Sequence, residues 1–328
     1  MVMRSRLLLI LLVFLPACQA IPGFFGAIAP SSPSTLNTIT YDVNQTITLK
    51  NDGPEQPEKH NLWVALIGDQ SPYQSVLSRD IQPSGYVIAT DEYGNHYAEF
   101  DLRDVKPGES VDINITYEIA VNELAYDLGE CEGDLPDQFN QAELHIESNN
   151  PQIIALAQEL AAPDQTACEN ARSFYDYIGS TLTYSYNGND WGAQAALGEM
   201  GADCTEYSSL LIALSRASAI PARYVEGLLF LEDNGSEAAR QEHAWVELFL
   251  PGMGWVPVDP TLGRSTLSRE LHFARYSPNH IIVTNGRNPS TLRGASYWSH
   301  LYWPGDSTII RVEDANWTIT PHNSSAPS

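Results

Sequence analysis

The stretch "GADCTEYSSLLIALSRASAIPARYV" (residues 201–225) places a cysteine where a helix should begin. Asp203 is positioned to cap that helix, and Glu206 follows three residues later, the spacing of a capping box. Cys204 is then the first helical residue. Backbone N–H groups and the positive end of the helix dipole favour a thiolate over a thiol at such a position. The same N–H groups can donate to an oxyanion forming on a carbonyl. A thiolate nucleophile needs a proton partner, and that partner needs a group to orient it.

"EHAWVELFLPGMGWVPVDPT" (residues 242–261) supplies both. His243 opens one apolar run, "PGMG" turns the chain, and Asp259 closes the return run. Side chains on paired strands share a face only at matched parity. If Leu250 opposes Gly254 across a three-residue turn, His243 falls opposite Thr261. Asp259 then lies on the same face, one diagonal step of about 7–8 Å away. A two-residue turn without a bulge sends the two side chains to opposite faces. Gly252 and Gly254 make the odd-length turn accessible.

The surrounding sequence describes what must hold these groups. Leu210, Leu211, Leu214 and Ala217 give the cysteine helix an apolar stripe. A helix is expected over "NPQIIALAQELA", with Asn150 as cap and Pro151 in its first turn. Another is expected over "TACENARSFYDYIGSTL", where Ala171, Phe174, Tyr175 and Ile178 recur at helical steps. The runs "RYVEGLLFL", "HAWVELFL" and "WVPVDPT" read as strands, so residues 145–263 form an α+β unit. Ahead of it, residues 38–125 alternate apolar and polar positions in runs such as "TITYDVNQTITLKN" and "SVDINITYEIAV", the pattern of a β-sandwich. Residues 264–328 form an extension expected to pack on the α+β core, with strands at "HIIVTN" and "STIIRVEDANWTI". Within it "SYWSHLYWPGD" reads as another core-packed strand or, alternatively, as the lining of a carbohydrate or peptide groove.

Composition narrows the partners. The 328 residues include 41 acidic against 17 basic side chains, a formal charge of −24, which disfavours phosphate-rich nucleic acid and anionic lipid surfaces as partners. At the start, Arg4 and Arg6 precede "LLLILLVFL", an apolar run too short to span a bilayer. Residues 1–20 therefore read as an export segment and the Pro- and Ser-rich residues 21–37 as a linker, which puts the body outside the cytoplasm. "LPAC" resembles a lipoprotein cleavage motif that leaves Cys18 lipidated and the protein membrane-anchored; cleavage after Ala20 releases it instead. Three cysteines follow. Pairing Cys131 with Cys168 closes a loop of roughly 38 residues, worth about 4 kcal/mol in the chain-entropy model, and leaves Cys204 single. Three unrelated buried thiols are the alternative.

No metal or other cofactor is expected, because His272, His280 and His300 lack ligand spacing to any cysteine. His60 and His96 read as ordinary surface or rim histidines, and Arg223 as the partner of a carboxylate in the fold.

The blocks "GADCTEYSSLLIALSRASAIPARYVEGLL" and "HAWVELFLPGMGWVPVDPT" resemble the microbial transglutaminase-like superfamily. That resemblance covers residues 145–263 and implies a papain-like core with a Cys–His–Asp triad. It makes Cys204 the nucleophile, His243 the base and acid, and Asp259 the orienter. "DEYGNHYAEF" is similar to the β domain that precedes the core in exported members. Tyr184 and Trp191 either wall the substrate groove, with one donating to the oxyanion, or are plain core aromatics. The chemistry so implied is acyl transfer at amide bonds of a protein or peptide substrate, with hydrolysis preferred. Cross-linking of glutamine side chains to amines is one alternative, and a cell-surface binding protein with an inert core is the other. Oligomeric state is not legible.

Overall fold

The computed structural model describes residues 32–322, apart from 59, 130, 187–190, 199–200, 232–241, 291–299 and 304–309. Cys18, the export segment and most of the linker lie outside the described residues. Strands β1 (Ser34–Asn51), β2 (Asn61–Leu66), β3 (Gln74–Gln82), β4 (Val87–Thr90), β5 (His96–Asp101) and β6 (Ser110–Ala125) come first. Helices α1 (Pro151–Leu160), α2 (Ala167–Thr181), α3 (Gly192–Ala196) and α4 (Cys204–Ala217) follow. Then come β7 (Ala222–Leu229), β8 (Glu242–Leu250), β9 (Gly254–Val258), β10 (Arg275–Tyr276), β11 (His280–Asn285), β12 (His300–Trp303) and β13 (Ile310–Pro321).

Period-two alternation builds the sandwich. Along β1, Tyr41, Val43, Ile47 and Leu49 turn inward while Asp42 and Asn44 face solvent; along β6, Ile113, Ile115, Tyr117, Ile119 and Val121 do the same. The two strands pair antiparallel from Ser34–Ala125 to Lys50–Ser110. They belong to a five-stranded sheet in the order β10–β6–β1–β13, with β3 also on β6. A second sheet, β12–β2–β5–β4, contributes Leu62, Val64, Tyr97 and Phe100 to the same core. Strand β1 starts at Ser34, inside the stretch expected to be linker. Its first five side chains are exposed, so no alternation marks them.

The α+β unit is built on an antiparallel sheet, β11–β7–β8–β9. Neighbouring residues on its strands serve different cores. Tyr224, Ala244, Val246 and Leu248 pack on the helices, whereas Val225, Trp245 and Ile281 join the sandwich core. The sheet is thus buried on both faces, and the sandwich rests directly on the back of the unit that carries the site. Helix α4 is buried on all sides from Thr205 to Arg216 rather than along one stripe. Several of its polar residues are paired inside: Arg216 donates to the Ala222 and Gln141 carbonyls and to Glu143, and Ser209 accepts from Arg287.

The extension departs from expectation in part. Among the described residues, Phe273, Ala274 and β11 pack on the α+β unit, whereas β10 pairs with β6, β12 with β2 and β13 with β1, so the tail is shared between that unit and the sandwich. Strand β13 is mostly exposed and carries Arg311, Glu313 and Asp314, the charged dress of an edge strand. An edge strand has little apolar pattern, and its partner is set by backbone pairing that periodicity does not reveal. The "SYWSHLYWPGD" stretch contributes β12 to this same sandwich.

Cys131 and Cys168 are joined by a disulfide, and Cys204 is free. Cys168 lies in the first turn of α2, whose Thr166 and Glu169 form a capping box, so the bond ties the segment after β6 to that helix. We expect the paired replacement of Cys131 and Cys168 by Ala to lower the unfolding free energy by about 4 kcal/mol. Urea unfolding of the variant beside the oxidised wild type measures this; equal midpoints would show that the bond contributes nothing.

Candidate active site

Two loops of structure converge on one imidazole. The β8–β9 hairpin pairs Leu250 with Gly254 and continues to Val246–Val258, the register expected of a three-residue turn. Gly252 and Gly254 hold φ of 74° and 79°, the left-handed region in which side chains are strained. Beyond Val258 the ladder ends, and the Asp259 N–H instead donates to the His272 carbonyl at 2.9 Å. The register keeps Asp259 on the face of His243, and His243 Nε2 lies 2.8 Å from Asp259 Oδ2. Opposite His243 on β7 stands Gly227; a Cβ there would sit 2.1 Å from the Ile281 carbonyl and 2.7 Å from the Trp245 ring. Glycine therefore lets β11 close against the site.

The third group comes from α4. Asp203 accepts from the Thr205 N–H at 3.0 Å and from the Glu206 N–H, while Glu206 accepts from the Asp203 N–H at 3.0 Å. This capping box fixes the helix start, with Cys204 as its first residue, half-buried and hydrogen-bonded to His243. Since Nε2 is taken by Asp259, Nδ1 is the ring nitrogen left to face the sulfur. With Asp203 holding the next two N–H groups, the Cys204 N–H is the first-turn donor beside the nucleophile.

Charge is arranged accordingly. Burial pulls the His243 imidazole down, but the Asp259 carboxylate and the Cys204 side chain outweigh it and raise the group to about 10. Burial pushes the Asp259 carboxyl up, yet His243 and the hydrogen bonds from His243 and His280 hold it well below the usual carboxylate range. Asp259 is a saturated acceptor. Oδ1 takes the N–H groups of Thr261 and Leu262 at 2.9 Å each, and Oδ2 takes His243 and, at 3.1 Å, His280 Nε2. The arrangement can pass a proton between a thiol and a buried imidazole and can receive negative charge at a helix start.

Tyr184 and Trp191 are not core aromatics: they are 41% and 43% exposed. Both are anchored beside the cysteine. Tyr184 bridges to Ala202, with the Arg264 guanidinium 4.7 Å over its ring, and the Trp191 N–H donates to Glu206 at 2.9 Å. Arg223 pairs with Glu247 and lies 4.4 Å over the Trp255 ring, the structural role expected of it.

His280 is the residue that sequence reasoning missed. It falls 21 residues after Asp259, outside both quoted blocks, and only the β11–β7 pairing brings it to the carboxylate. A histidine heading the apolar run "HIIVTN" is the one trace it leaves in the sequence. His243, Asp259 and His280 place three potential metal-ligand atoms within 4.8 Å of one another. Their contacts are those of two rings hydrogen-bonded to one carboxylate oxygen, so no ion is needed to account for them. His272 contributes its backbone carbonyl to Asp259, and burial lowers its ring.

Residues 154–260, which include Cys204, His243 and Asp259, match the family model of the transglutaminase-like superfamily. YebA of Bacillus subtilis strain 168 is 27% identical over 143 residues, 38% of this chain and 19% of that protein. A protein-glutamine gamma-glutamyltransferase of Pseudomonas aeruginosa is 32% identical over 170 residues, 48% of this chain and 25% of that protein. The matched stretch thus spans at most a quarter of the length of these curated relatives. Among solved structures, a candidate cysteine protease from Cytophaga hutchinsonii superposes with a TM-score of 0.64 over 88% of this chain and 93% of its own, at 15% identity. The likeness is one of fold.

Proposed function

We propose that this chain, which belongs to the transglutaminase-like superfamily, is a thiol-dependent acyl-transfer enzyme that hydrolyses amide bonds in protein or peptide substrates. The observation that carries this reading is the line Cys204–His243–Asp259: a helix-start cysteine bonded to an imidazole whose Nε2 is 2.8 Å from a fully bonded carboxylate. In this scheme Cys204 Sγ, its proton already held on His243, attacks the substrate carbonyl carbon as a thiolate. The oxyanion accepts from the Cys204 N–H. His243 returns the proton to the leaving amine as the C–N bond breaks, and a thioester remains. Water then adds to the thioester with His243 as base, and the acid leaves as the sulfur is restored. The exposed rims of Tyr184 and Trp191 support water as acceptor, since they leave the acyl site open to solvent.

A second reading, transfer to an amine, is favoured by the Pseudomonas relative, which is named for that reaction. Incubation with a glutamine peptide and a labelled primary amine separates the two. Hydrolysis without incorporation is expected, and incorporation without appreciable hydrolysis would reverse the order. The disulfide and the segment at residues 1–20 support an extracytoplasmic location, either released or anchored through Cys18.

Alkylation by iodoacetamide tests the site without a known substrate. Cys204 in the wild type is expected to react about 10–100-fold faster at pH 7 than in His243→Ala, the worth of a hydrogen bond to a charged group. His243 keeps its proton to about pH 10, so this advantage is full at neutral pH, narrows as the variant's free thiol ionises on its own at about pH 8.5, and is gone by about pH 10. Equal rates at pH 7 would favour an inert core that serves binding alone.

A further inference from the structure

We propose that His280 is a positioning residue for this acyl transfer: its Nε2–H donates to Asp259 Oδ2, and the β-sandwich holds the ring there, so that the carboxylate stays turned toward His243. The inference rests on the catalytic reading above. Asp259 Oδ1 is fixed by two backbone N–H groups, so the orientation of the carboxylate depends on what holds Oδ2. The His243 ring changes charge at Nδ1 in each half of the reaction, and with it the strength of its Nε2–H bond to Oδ2. His280 supplies a second donor that does not react.

The surroundings select its state. His280 is buried, with the Trp245 ring edge-on at 4.9 Å, and its Nδ1 has no partner among the described residues. Burial lowers the group and favours the neutral ring that donates through Nε2, with the bond and charge of Asp259 and a weaker contribution from the Ser277 carbonyl opposing. A neutral donor steadies the Asp259 charge without placing a second cation beside the His243 imidazolium.

The ring is carried by a backbone that the sandwich grips. The Tyr73 hydroxyl donates to the Ser277 carbonyl at 2.8 Å and also to the His280 carbonyl. The Gln74 side chain bonds Ile282 in both directions, donating to its carbonyl at 3.0 Å and accepting from its N–H at 2.8 Å. Tyr41 donates to the Pro278 carbonyl at 3.1 Å. A path of direct contacts therefore runs from β1 and the start of β3, through the first residues of β11, to the oxygen that orients His243.

The test compares His280→Phe, which keeps a ring and loses the donor, with His280→Gln, which keeps an N–H donor. The iodoacetamide rate of Cys204 at pH 7 is expected to fall about tenfold in the Phe variant, the worth of one hydrogen bond to a charged group, and to recover at least half of that loss, on a logarithmic scale, in the Gln variant. Proton NMR of histidine-labelled protein should show two low-field ring N–H signals in the wild type. The Phe variant should lose one and shift the other. Thermal melting establishes that both variants are folded. Wild-type alkylation in the Phe variant, or a folded Gln variant as slow as Phe, would overturn the proposal, as would a single low-field signal in the wild type. Failure of the catalytic reading looks different: His243→Ala and wild type would then alkylate alike, whatever His280 does to the spectrum.

Discussion

Replacing Cys204 by Ala is expected to abolish amide turnover, a loss on the order of 10⁶-fold if the three groups act as a unit, while the protein stays folded. Alanine is the best helix former, the capping box of Asp203 and Glu206 does not use the thiol, and the side chain is only half-buried. Stability within about 1 kcal/mol of wild type follows, as for a substitution that opens no cavity and strands no buried polar group. Turnover on a labelled protein substrate and a calorimetric melt measure both halves. Loss of the folded state would make Cys204 a structural residue, and retained turnover would remove it from the chemistry.

Asp259→Asn should be the second most damaging change to the rate, by roughly 10³–10⁴-fold by analogy with an orienting carboxylate elsewhere. The structure gives this a specific cause. The Thr261 and Leu262 N–H groups claim one side-chain oxygen. An asparagine would turn its carbonyl to those donors and present its NH₂ to His243 and His280. Both imidazoles would then face a donor where they now meet an acceptor. His243 would have to accept at Nε2 and carry its proton on Nδ1 toward the sulfur, the wrong tautomer for a base. The measured quantity is kcat/KM for the folded variant against wild type; a loss under about tenfold would mean that Asp259 does not set the tautomer.

How much of this could be read from the residues depends on where each constraint originates. The hairpin was legible because "PGMG" between two alternating runs leaves few registers, and the Leu250–Gly254 pairing is one that joins His243 to Asp259 on one face. The start of α4 was legible from the Asp203–Glu206 spacing, and α1 and α2 from caps and period. Helix α3 has five residues and too few turns to show a period. The tail strands at "HIIVTN" and "STIIRVEDANWTI" were legible as strands, but their pairing and the role of His280 were not, for another reason. Their partners are distant in sequence, and their own patterns are those of a buried run and a charged edge, compatible with several neighbours. The sequence leaves Tyr184 and Trp191 between groove wall and core, because composition alone does not tell which face of a loop is open; both stand at the surface.

The pairing of β13 with β1 has a consequence for how the protein is made. A chain leaves the ribosome with its first strand far ahead of its last. By the time Asp259 has emerged, every reacting group is present, but β1 still shows one bare rail of N–H and C=O groups along most of its length. Such a rail recruits other strands. Fragments that stop before residue 310, from premature termination or proteolysis, should therefore self-associate even though their reactive half is complete, and the nascent chain needs shielding until its closing strand arrives.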